Sequence, residues 1–493
     1  MSKNSNSYRT ILKGTALFGG VQVFNIIINL IRGKLVAILL GPDGMGISSL
    51  LFASANTIQQ FSSLGINLSA VKEISNAKEN ENTQQLSFII KVIHRLLQIT
   101  AIIGALFAIL FSSQLSIWTF GDESYQWHFI FLSVMIYFTT LSNGELSILQ
   151  GTHKVKKLAY ASIIGSSVGL LIGTPLYYFY HYNGIVPAMI VLSIATYSFY
   201  RYNSPIITTH NNLAITWKEA SPLIKRMLSL GLAMVLANLL GTIANYLLNT
   251  FISHHGTLND VGLYQAANSI TNQYIGLVFT AMSLDFFPRL SAICNNNIKI
   301  KELVNQQSEI VVLLVAPIAI ILIILAPVVI RILLTDQFLS LVSIIRWMGI
   351  GIFFKAIAFP MGYISFAKGD KKTFLWLEGI WGNLLVLSLN TFFYYNWGIE
   401  GIGISFVISY IMMNITYIII TKKLYQFQHN KSFITISITF FLLLVSVWGC
   451  SFITNIYFSY ISMGILFIIT SIFSLYQLNK RLSIFNFKYL KRQ

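Results

Sequence analysis

Long apolar stretches recur along the whole chain, each about as long as a helix needs to be to cross a bilayer. About 20 apolar residues suffice for one crossing, and short polar connections separate each stretch from the next. The pattern predicts fourteen spans, at roughly 13–40, 47–70, 87–111, 126–150, 158–180, 185–202, 226–252, 261–285, 307–334, 341–366, 373–396, 401–421, 433–453 and 458–477.

Polar side chains inside four of these spans follow the helical period. Steps of three and four residues place them on one face of spans one, two, seven and eight. The four sets are Gln22, Asn25, Asn29 and Arg32; Asn56, Gln60, Ser63 and Asn67; Asn238, Thr242, Asn245 and Asn249; and Gln265, Asn268 and Asn272. Because a polar group in a bilayer faces a partner helix or a cavity, the stripes predict a polar cavity shared by these spans. Bonds between neighbouring helices are the alternative explanation for any single Asn or Gln.

The composition agrees with a membrane protein. Hydrophobic residues make up 55% of the 493 residues and charged residues only 10%, whereas a soluble chain usually carries about 25% charged residues. The predicted fold is therefore an all-α integral membrane bundle, with no stretch left for a soluble domain of useful size.

Basic residues are confined to every second connection between spans. The odd-numbered connections contain no Lys or Arg, whereas each even-numbered connection contains at least two. Since positive charge stays in the cytoplasm, the even connections and both termini are predicted to be cytoplasmic. The same rule accounts for the formal net charge of +17, which in a soluble protein would suggest nucleic acid. No nucleic-acid partner is expected here.

The two halves of the chain match each other at an offset of 217 or 218 residues. The matched pairs are Asp43 with Asp260, Gly151 with Gly369, and Gly184 with Gly401. Six spans lie in each copy, so the copies have the same orientation, and parallel repeats of this kind place a transport site at their interface. The predicted organisation is an N-lobe at 1–212, a C-lobe at 213–432, and two extra spans with a basic tail at 433–493.

Few fixed charges lie inside the spans, and two of the cations lie deep. Arg32 in span one and Lys355 in span ten give the predicted cavity a positive character, which suits an anionic headgroup. Glu145 and Glu378 lie nearer the cytoplasmic ends of spans four and eleven, where they can neutralise those cations or carry a coupling proton. A plain structural role is the alternative for both glutamates.

The sequence offers no pattern typical of catalysis or metal binding. Cys294 and Cys450 lie far apart and outside any metal-ligand spacing, so no disulfide, metal or cofactor is expected. There is no convincing nucleophile constellation, and the outer connections are short. A membrane enzyme, such as a polysaccharide polymerase or a glycosyltransferase, is therefore the weaker alternative.

Three stretches resemble the O-antigen translocases, the Wzx-type oligosaccharide flippases of the multidrug/oligosaccharidyl-lipid/polysaccharide exporter superfamily. RGKLVAILLGPDGMG at 32–46 ends span one and forms its outer turn, LQGTHKVKK at 149–157 precedes span five, and GIVP at 184–187 opens span six. The spacing fits over nearly the whole chain. The resemblance implies two lobes around a central cavity that opens alternately to each side of the bacterial inner membrane.

The resemblance also implies a cargo, an oligosaccharide linked to undecaprenyl pyrophosphate. A basic residue on the first helix, here Arg32, is then a contact to the headgroup. Membrane lipids and the polysaccharide polymerase machinery are the expected partners. A lipid II flippase or a drug exporter of the same superfamily is the alternative, and the polar, cationic stripes favour the oligosaccharide over a drug.

Overall fold

The computed structural model describes residues 24–79, 83–152, 154–204, 217–274 and 276–482. Over these ranges the chain forms helices joined by short turns, without a β-strand. The helices are α1 24–39, α2 Gly41–Ser63, α3 Ile66–Glu79, α4 Thr83–Leu110, α5 Ser112–Phe120, α6 Gln126–Gly151, α7 Val155–Tyr180, α8 Ile185–Asn203, α9 Trp217–His255, α10 Leu258–Asn268, α11 Gly276–Ala292, α12 Asn297–Leu333, α13 Leu341–Ala367, α14 Lys371–Phe374, α15 Gly382–Tyr425, α16 Lys431–Cys450 and α17 Ile456–Leu482.

Eight helical segments of the described ranges are long and apolar enough to cross a membrane. They are Thr83–Leu110, Gln126–Gly151, Lys156–Asn203, Asn297–Leu333, Leu341–Ala367, Lys371–Tyr425, Lys431–Cys450 and Ile456–Arg481. Lys156–Asn203 and Lys371–Tyr425 are 48 and 55 residues long, and each covers two of the predicted spans. The all-helical membrane fold is thus confirmed, while the count of fourteen spans stays a prediction.

The two longest segments break at equivalent positions. His181, with φ 50° and ψ −128°, and Gly398, with φ 59° and ψ −148°, interrupt the helices 217 residues apart. Three residues later, a Cβ added to Gly184 or to Gly401 would lie 2.1 Å from the backbone carbonyl oxygen eight residues earlier. The same turn geometry therefore recurs at the offset that the sequence repeat predicts.

Gly398→Ala is expected to lower the free energy of unfolding by about 1–3 kcal/mol, because only glycine adopts this positive φ without strain. His181→Gly is expected to raise it, since His181 holds the equivalent strained conformation. Thermal unfolding of the purified variants in detergent measures both effects. If the melting temperatures of the two variants change in the same direction, the two turns do not share one backbone geometry.

Packing divides the chain into two compact units, one ending at Gly262 and one beginning at Leu263. In the first unit, α2 and α3 pack against α9, α4 packs against α6, and α7 pairs with α8. One apolar core of this unit contains Leu51 and Phe129, and another contains Ile74. The predicted lobe boundary at 212 falls within 205–216, outside the described residues, so the lobe limits remain a prediction.

The two helices beyond the repeat are integrated into the second unit. α12 packs on α13, α16 and α17, with Phe440 of α16 fully buried in their shared core. The Nε atom of Arg481 on α17 lies 2.5 Å from Glu309 Oε2 on α12, and both side chains are mostly buried. The hydroxyl of Ser474 also donates to the carbonyl oxygen of Leu313 at 2.6 Å. A charge pair and a core therefore tie the last helix to α12.

Arg481→Met is expected to lower the free energy of unfolding by about 3–5 kcal/mol, because Glu309 would stay buried without a counter-charge. Adding Glu309→Gln should recover most of that loss. The matched control is Arg331→Met, whose exposed pair with Asp336 contributes at most about 1 kcal/mol. Chemical unfolding in detergent measures the free energy of unfolding of each variant. Equal losses of this free energy in Arg481→Met and Arg331→Met would contradict this account.

Three irregular segments interrupt the helices near predicted polar residues. α2 ends at Ser63, where Leu64 and Gly65 adopt φ values of 48° and 71°. The predicted stripe of span two therefore crosses a break, and Asn67 lies on α3. The other two segments, Ser269–Tyr274 and Leu375–Trp381, are π-helical. Such turns often occur at functional sites.

Candidate functional site

Arg32 lies in the middle of α1. One of its Nη atoms is buried and has no hydrogen-bond partner among the described residues. Tyr177 on α7 lies near the guanidinium group. A buried guanidinium nitrogen without an acceptor costs free energy, and a bound anion would supply that acceptor. Arg32 is therefore suited to an anion site.

The other polar residues predicted on span one differ in their surroundings. Asn25 bonds to the hydroxyls of Ser162 and Ser166 on α7, at 3.0 and 3.2 Å. Asn29 is exposed, and Gln22 lies outside the described residues. Asn25 thus joins two neighbouring helices, which is the role that the alternative explanation gave to such amides.

Predicted residues of spans two and seven bond to each other. The hydroxyl of Thr242 on α9 donates to Gln60 Oε1 on α2 at 3.1 Å. Asn249 is fully buried, and its amide donates to the carbonyl oxygen of Asn245 at 2.8 Å. Its Oδ1 atom has no hydrogen-bond partner in the part of the chain that the structure describes. The face that α9 shares with α2 therefore carries a buried amide with an unused acceptor.

Asn272, one of the polar residues predicted on span eight, contacts Lys355. Asn272 lies in the π-helical segment after α10, and its amide donates to Asn268 Oδ1 at 2.5 Å. Lys355 Nζ on α13 donates to Asn272 Oδ1 at 2.7 Å. The same ammonium lies 5.7 Å from the ring centroids of Phe279 and Tyr410. An amide oxygen and two ring faces hold this cation without neutralising it, so it can bind an anionic ligand.

Lys355 and Glu378 line one pocket of about 480 Å³ within the second unit. Glu378 lies in the π-helical segment Leu375–Trp381, and the hydroxyl of Tyr417 donates to its carboxylate. Aromatic rings form much of the remaining wall, from Phe359, Tyr363, Phe366, Phe374, Tyr410 and Tyr417. The pocket is within the size range of a drug-sized ligand. Its cation, carboxyl, hydroxyls and ring faces suit a charged ligand rich in hydroxyl groups.

Glu145 lies in different surroundings, within the first unit. Its side chain is only 2% exposed, and its Oε1 atom lies 3.0 Å from His94 Nε2 and 3.5 Å from Arg201 Nε. These contacts join α6 to α4 and α8. They favour the structural role for Glu145 and leave Glu378 as the better placed candidate for coupling.

The remaining predicted positions are not brought into one cluster by the described contacts. Asn56 and Gln265 are half-buried, and the side chain of Asn238 lies outside the described ones. Arg32 and Lys355 belong to different units.

Reasoning from the sequence missed the aromatic wall of the pocket. Phe359, Tyr363 and Phe366 recur at steps of four and three residues, and Tyr410 and Tyr417 are seven residues apart. The helical period that revealed the amide stripes would have found these rings as well. The amide stripes and the fixed charges do not by themselves indicate this wall, although aromatic rings also bind ligands.

Residues 35–343 match the family described as "Polysaccharide biosynthesis protein". The chain is similar to the lipid III flippases of Escherichia coli (strain K12) and Shigella flexneri. Each is 21% identical over 355 residues, which cover 71% of this chain and 83% of the relative.

Solved structures with a similar fold include a multidrug resistance MATE family transporter of the MOP superfamily, in an inward-facing conformation. It has a TM-score of 0.68 and 17% identity, and the match covers 82% of this chain and 94% of that one. The lipid II flippase MurJ, in an inward closed conformation, has a TM-score of 0.62 and 16% identity, over 96% and 99% of the two chains. Both likenesses concern the fold.

Proposed function

Because the chain belongs to the polysaccharide biosynthesis protein family, we propose that it carries a lipid-linked oligosaccharide from the cytoplasmic to the outer leaflet of the bacterial inner membrane. Two relatives that are matched over 83% of their own length are lipid III flippases. The observation that carries the proposal is Lys355, an intramembrane cation in a pocket of hydroxyls and aromatic rings. A flippase needs such a site because a charged, hydrated headgroup cannot enter the bilayer without polar partners.

In the proposed mechanism, Lys355 binds the pyrophosphate of the headgroup in the pocket of the second unit, and Arg32 is proposed as an anion contact within the first unit. The planar guanidinium of Arg32 can hold two phosphate oxygens at once, while the ammonium of Lys355 acts as a point charge. The amides of the stripes and the tyrosines of the pocket bond sugar hydroxyls. The prenyl tail stays in the lipid while the site opens alternately to the cytoplasm and to the outside.

Glu378 is the proposed coupling residue. It lines the same pocket as Lys355, so its protonation makes the pocket more positive by one charge and strengthens anion binding. Because a ligand shifts a conformational equilibrium only through different affinities for the two states, a proton held in one state provides the coupling.

The proposed arrangement in the membrane follows the basic connections. Both termini lie in the cytoplasm, and fourteen spans form two lobes at 1–212 and 213–432 with two further helices at 433–493. The flipped unit is then delivered to polysaccharide polymerase machinery on the outer side. No cofactor takes part in this mechanism.

The test of the function is to deplete the protein in its host and determine which leaflet holds the lipid-linked oligosaccharide. A sugar-modifying reagent that cannot cross the inner membrane serves as the probe. We expect carrier that the reagent cannot reach to accumulate, and wild-type protein to reverse this. Unpolymerised single units on the outer side would instead indicate a polymerase. Altered drug susceptibility with unchanged carrier would indicate a drug exporter, and trapped lipid II would indicate a lipid II flippase.

A further inference from the structure

The starts of α2 and α10 approach each other so closely that only glycine fits between them. A Cβ added to Gly46 would lie 2.0 Å from the carbonyl oxygen of Leu258. A Cβ added to Gly262 would lie 1.9 Å from the carbonyl oxygen of Pro42. Each added atom would also lie 3.1 Å from the backbone nitrogen of the other glycine. Backbone thus packs against backbone at this crossing.

The contact is reciprocal. On each helix the glycine lies four residues after the residue whose carbonyl oxygen faces the other glycine. Pro42 corresponds to Leu258 and Gly46 to Gly262 at an offset of 216 residues, within one of the offset that relates the two halves of the sequence. The same short segment of each repeat therefore contacts its own counterpart, as in a two-fold symmetric interface.

The contact lies at the predicted outer surface. α2 begins at Gly41 and α10 at Leu258, and both starts fall in connections without Lys or Arg. Such connections are expected on the outer side. The glycines therefore join the outer ends of the first and second repeats.

A different kind of contact joins α9 to α3 at the predicted cytoplasmic side of the same unit. There, Arg226 of α9 donates to Glu73 of α3 at 2.7 Å, and the carboxylate is buried. Ala220 and Leu223 of α9 pack with Ile74 of α3 beside this ion pair. Small residues let helices approach closely. At the glycine contact the side chain of Leu258 packs on the apolar core of the first unit, so this contact is apolar. The glycine joint can therefore separate without leaving a buried charge unpaired.

We propose that this reciprocal contact of Pro42, Gly46, Leu258 and Gly262, the outer clamp, is the gate that closes the outer side of the transport path. The clamp is closed while the site faces the cytoplasm, and the outer ends of α2 and α10 separate when the headgroup is released outward. This inference rests on the proposed function, because it assigns the outer gate of the same transport path.

The test uses a single reporter cysteine, Asn249→Cys, after Cys294 and Cys450 are replaced by serine. Asn249 is fully buried on the predicted cavity face of α9, so it should react slowly with a membrane-impermeant methanethiosulfonate added outside. Gly46→Ala or Gly262→Ala should raise the labelling rate at least tenfold, because the new methyl group forces the outer ends apart. Gly173→Ala is the matched control, since its Cβ would make only an ordinary contact at 3.4 Å.

Labelling at the wild-type rate in membrane-inserted alanine variants would overturn the proposal. If those variants do not insert, spin labels at Asp43→Cys and Asn259→Cys in protein that keeps both glycines decide the question by electron–electron distance measurement. We expect two populations of molecules, one with a short and one with a long distance between the labels. The fraction in each population should change when lipid-linked oligosaccharide is added. One short distance under both conditions would overturn the clamp as a gate. Neither measurement requires transport, so a failed flipping assay alongside accelerated labelling refutes the proposed function and not the clamp.

Discussion

Replacing Arg32 by alanine is expected to reduce flipping of the lipid-linked oligosaccharide at least tenfold, with the amount of protein in the membrane unchanged. One guanidinium nitrogen of Arg32 is buried without a hydrogen-bond partner among the described residues, so a bound phosphate oxygen would supply the acceptor that it lacks. A hydrogen bond to a charged group contributes about 1.5–3 kcal/mol, which corresponds to a loss of roughly 10- to 150-fold. The rate at which carrier becomes accessible to an external, impermeant reagent measures the effect.

Two variants of the same helix serve as controls for Arg32. Arg32→Lys keeps the positive charge but not the planar group that binds two phosphate oxygens, so an intermediate rate is expected. Lys34→Ala removes a cation two residues further on, away from the Arg32 stripe, and should leave flipping close to the wild-type rate. Equal losses of flipping rate in Arg32→Ala and Lys34→Ala would mean that the net charge of α1 matters and that Arg32 makes no specific contact.

Replacing Lys355 by glutamine is expected to have an effect of similar size or larger. The ammonium is held by Asn272 and by the ring faces of Phe279 and Tyr410, none of which neutralises it. Glutamine can keep the hydrogen bond to Asn272, so the substitution removes the charge and leaves much of the packing. We expect flipping to fall at least tenfold while the melting temperature changes little. Transport and thermal unfolding of the same preparation measure the two quantities.

Glu378→Gln distinguishes the roles of the two charged residues of the pocket. Glutamine resembles a protonated carboxyl group, so this variant should still bind substrate but turn over slowly. Lys355→Gln should lose binding itself, and adding Glu378→Gln should not restore transport. Arg331→Gln, at an exposed ion pair, is the control for loss of a membrane-region cation and should transport normally. Wild-type flipping by Lys355→Gln would remove the pocket from the proposed path.

Hydropathy and charge were sufficient to predict the class of fold and much of its outline. The turns at His181 and Gly398 lie where two predicted spans meet in each half of the chain, and their matching dihedral angles agree with the repeat found in the sequence. These features follow from local physics, because apolar length and turn chemistry are properties of neighbouring residues.

Other features depend on packing and were not predicted. The break at Leu64 and Gly65 and the two π-helical segments change the face on which polar residues lie, and a uniform helical period cannot show this. Glu145 and Glu378 looked alike in the sequence, since both are acidic residues near helix ends. The structure pairs Glu145 with His94 and Arg201, whereas it places Glu378 in a pocket with Lys355. The difference depends on residues that are distant in the sequence but close in the fold.

The central claim is tested most directly by flipping with the purified protein. Liposomes that contain the protein and the lipid-linked oligosaccharide of its host are treated from outside with an impermeant sugar-modifying reagent. The account predicts that nearly all of the oligosaccharide becomes modified with wild-type protein, that modification of the protected half is at least ten times slower with Arg32→Ala, and that about half stays protected without protein. Protection of half of the substrate by wild-type protein, folded and supplied with a proton gradient, would contradict the account.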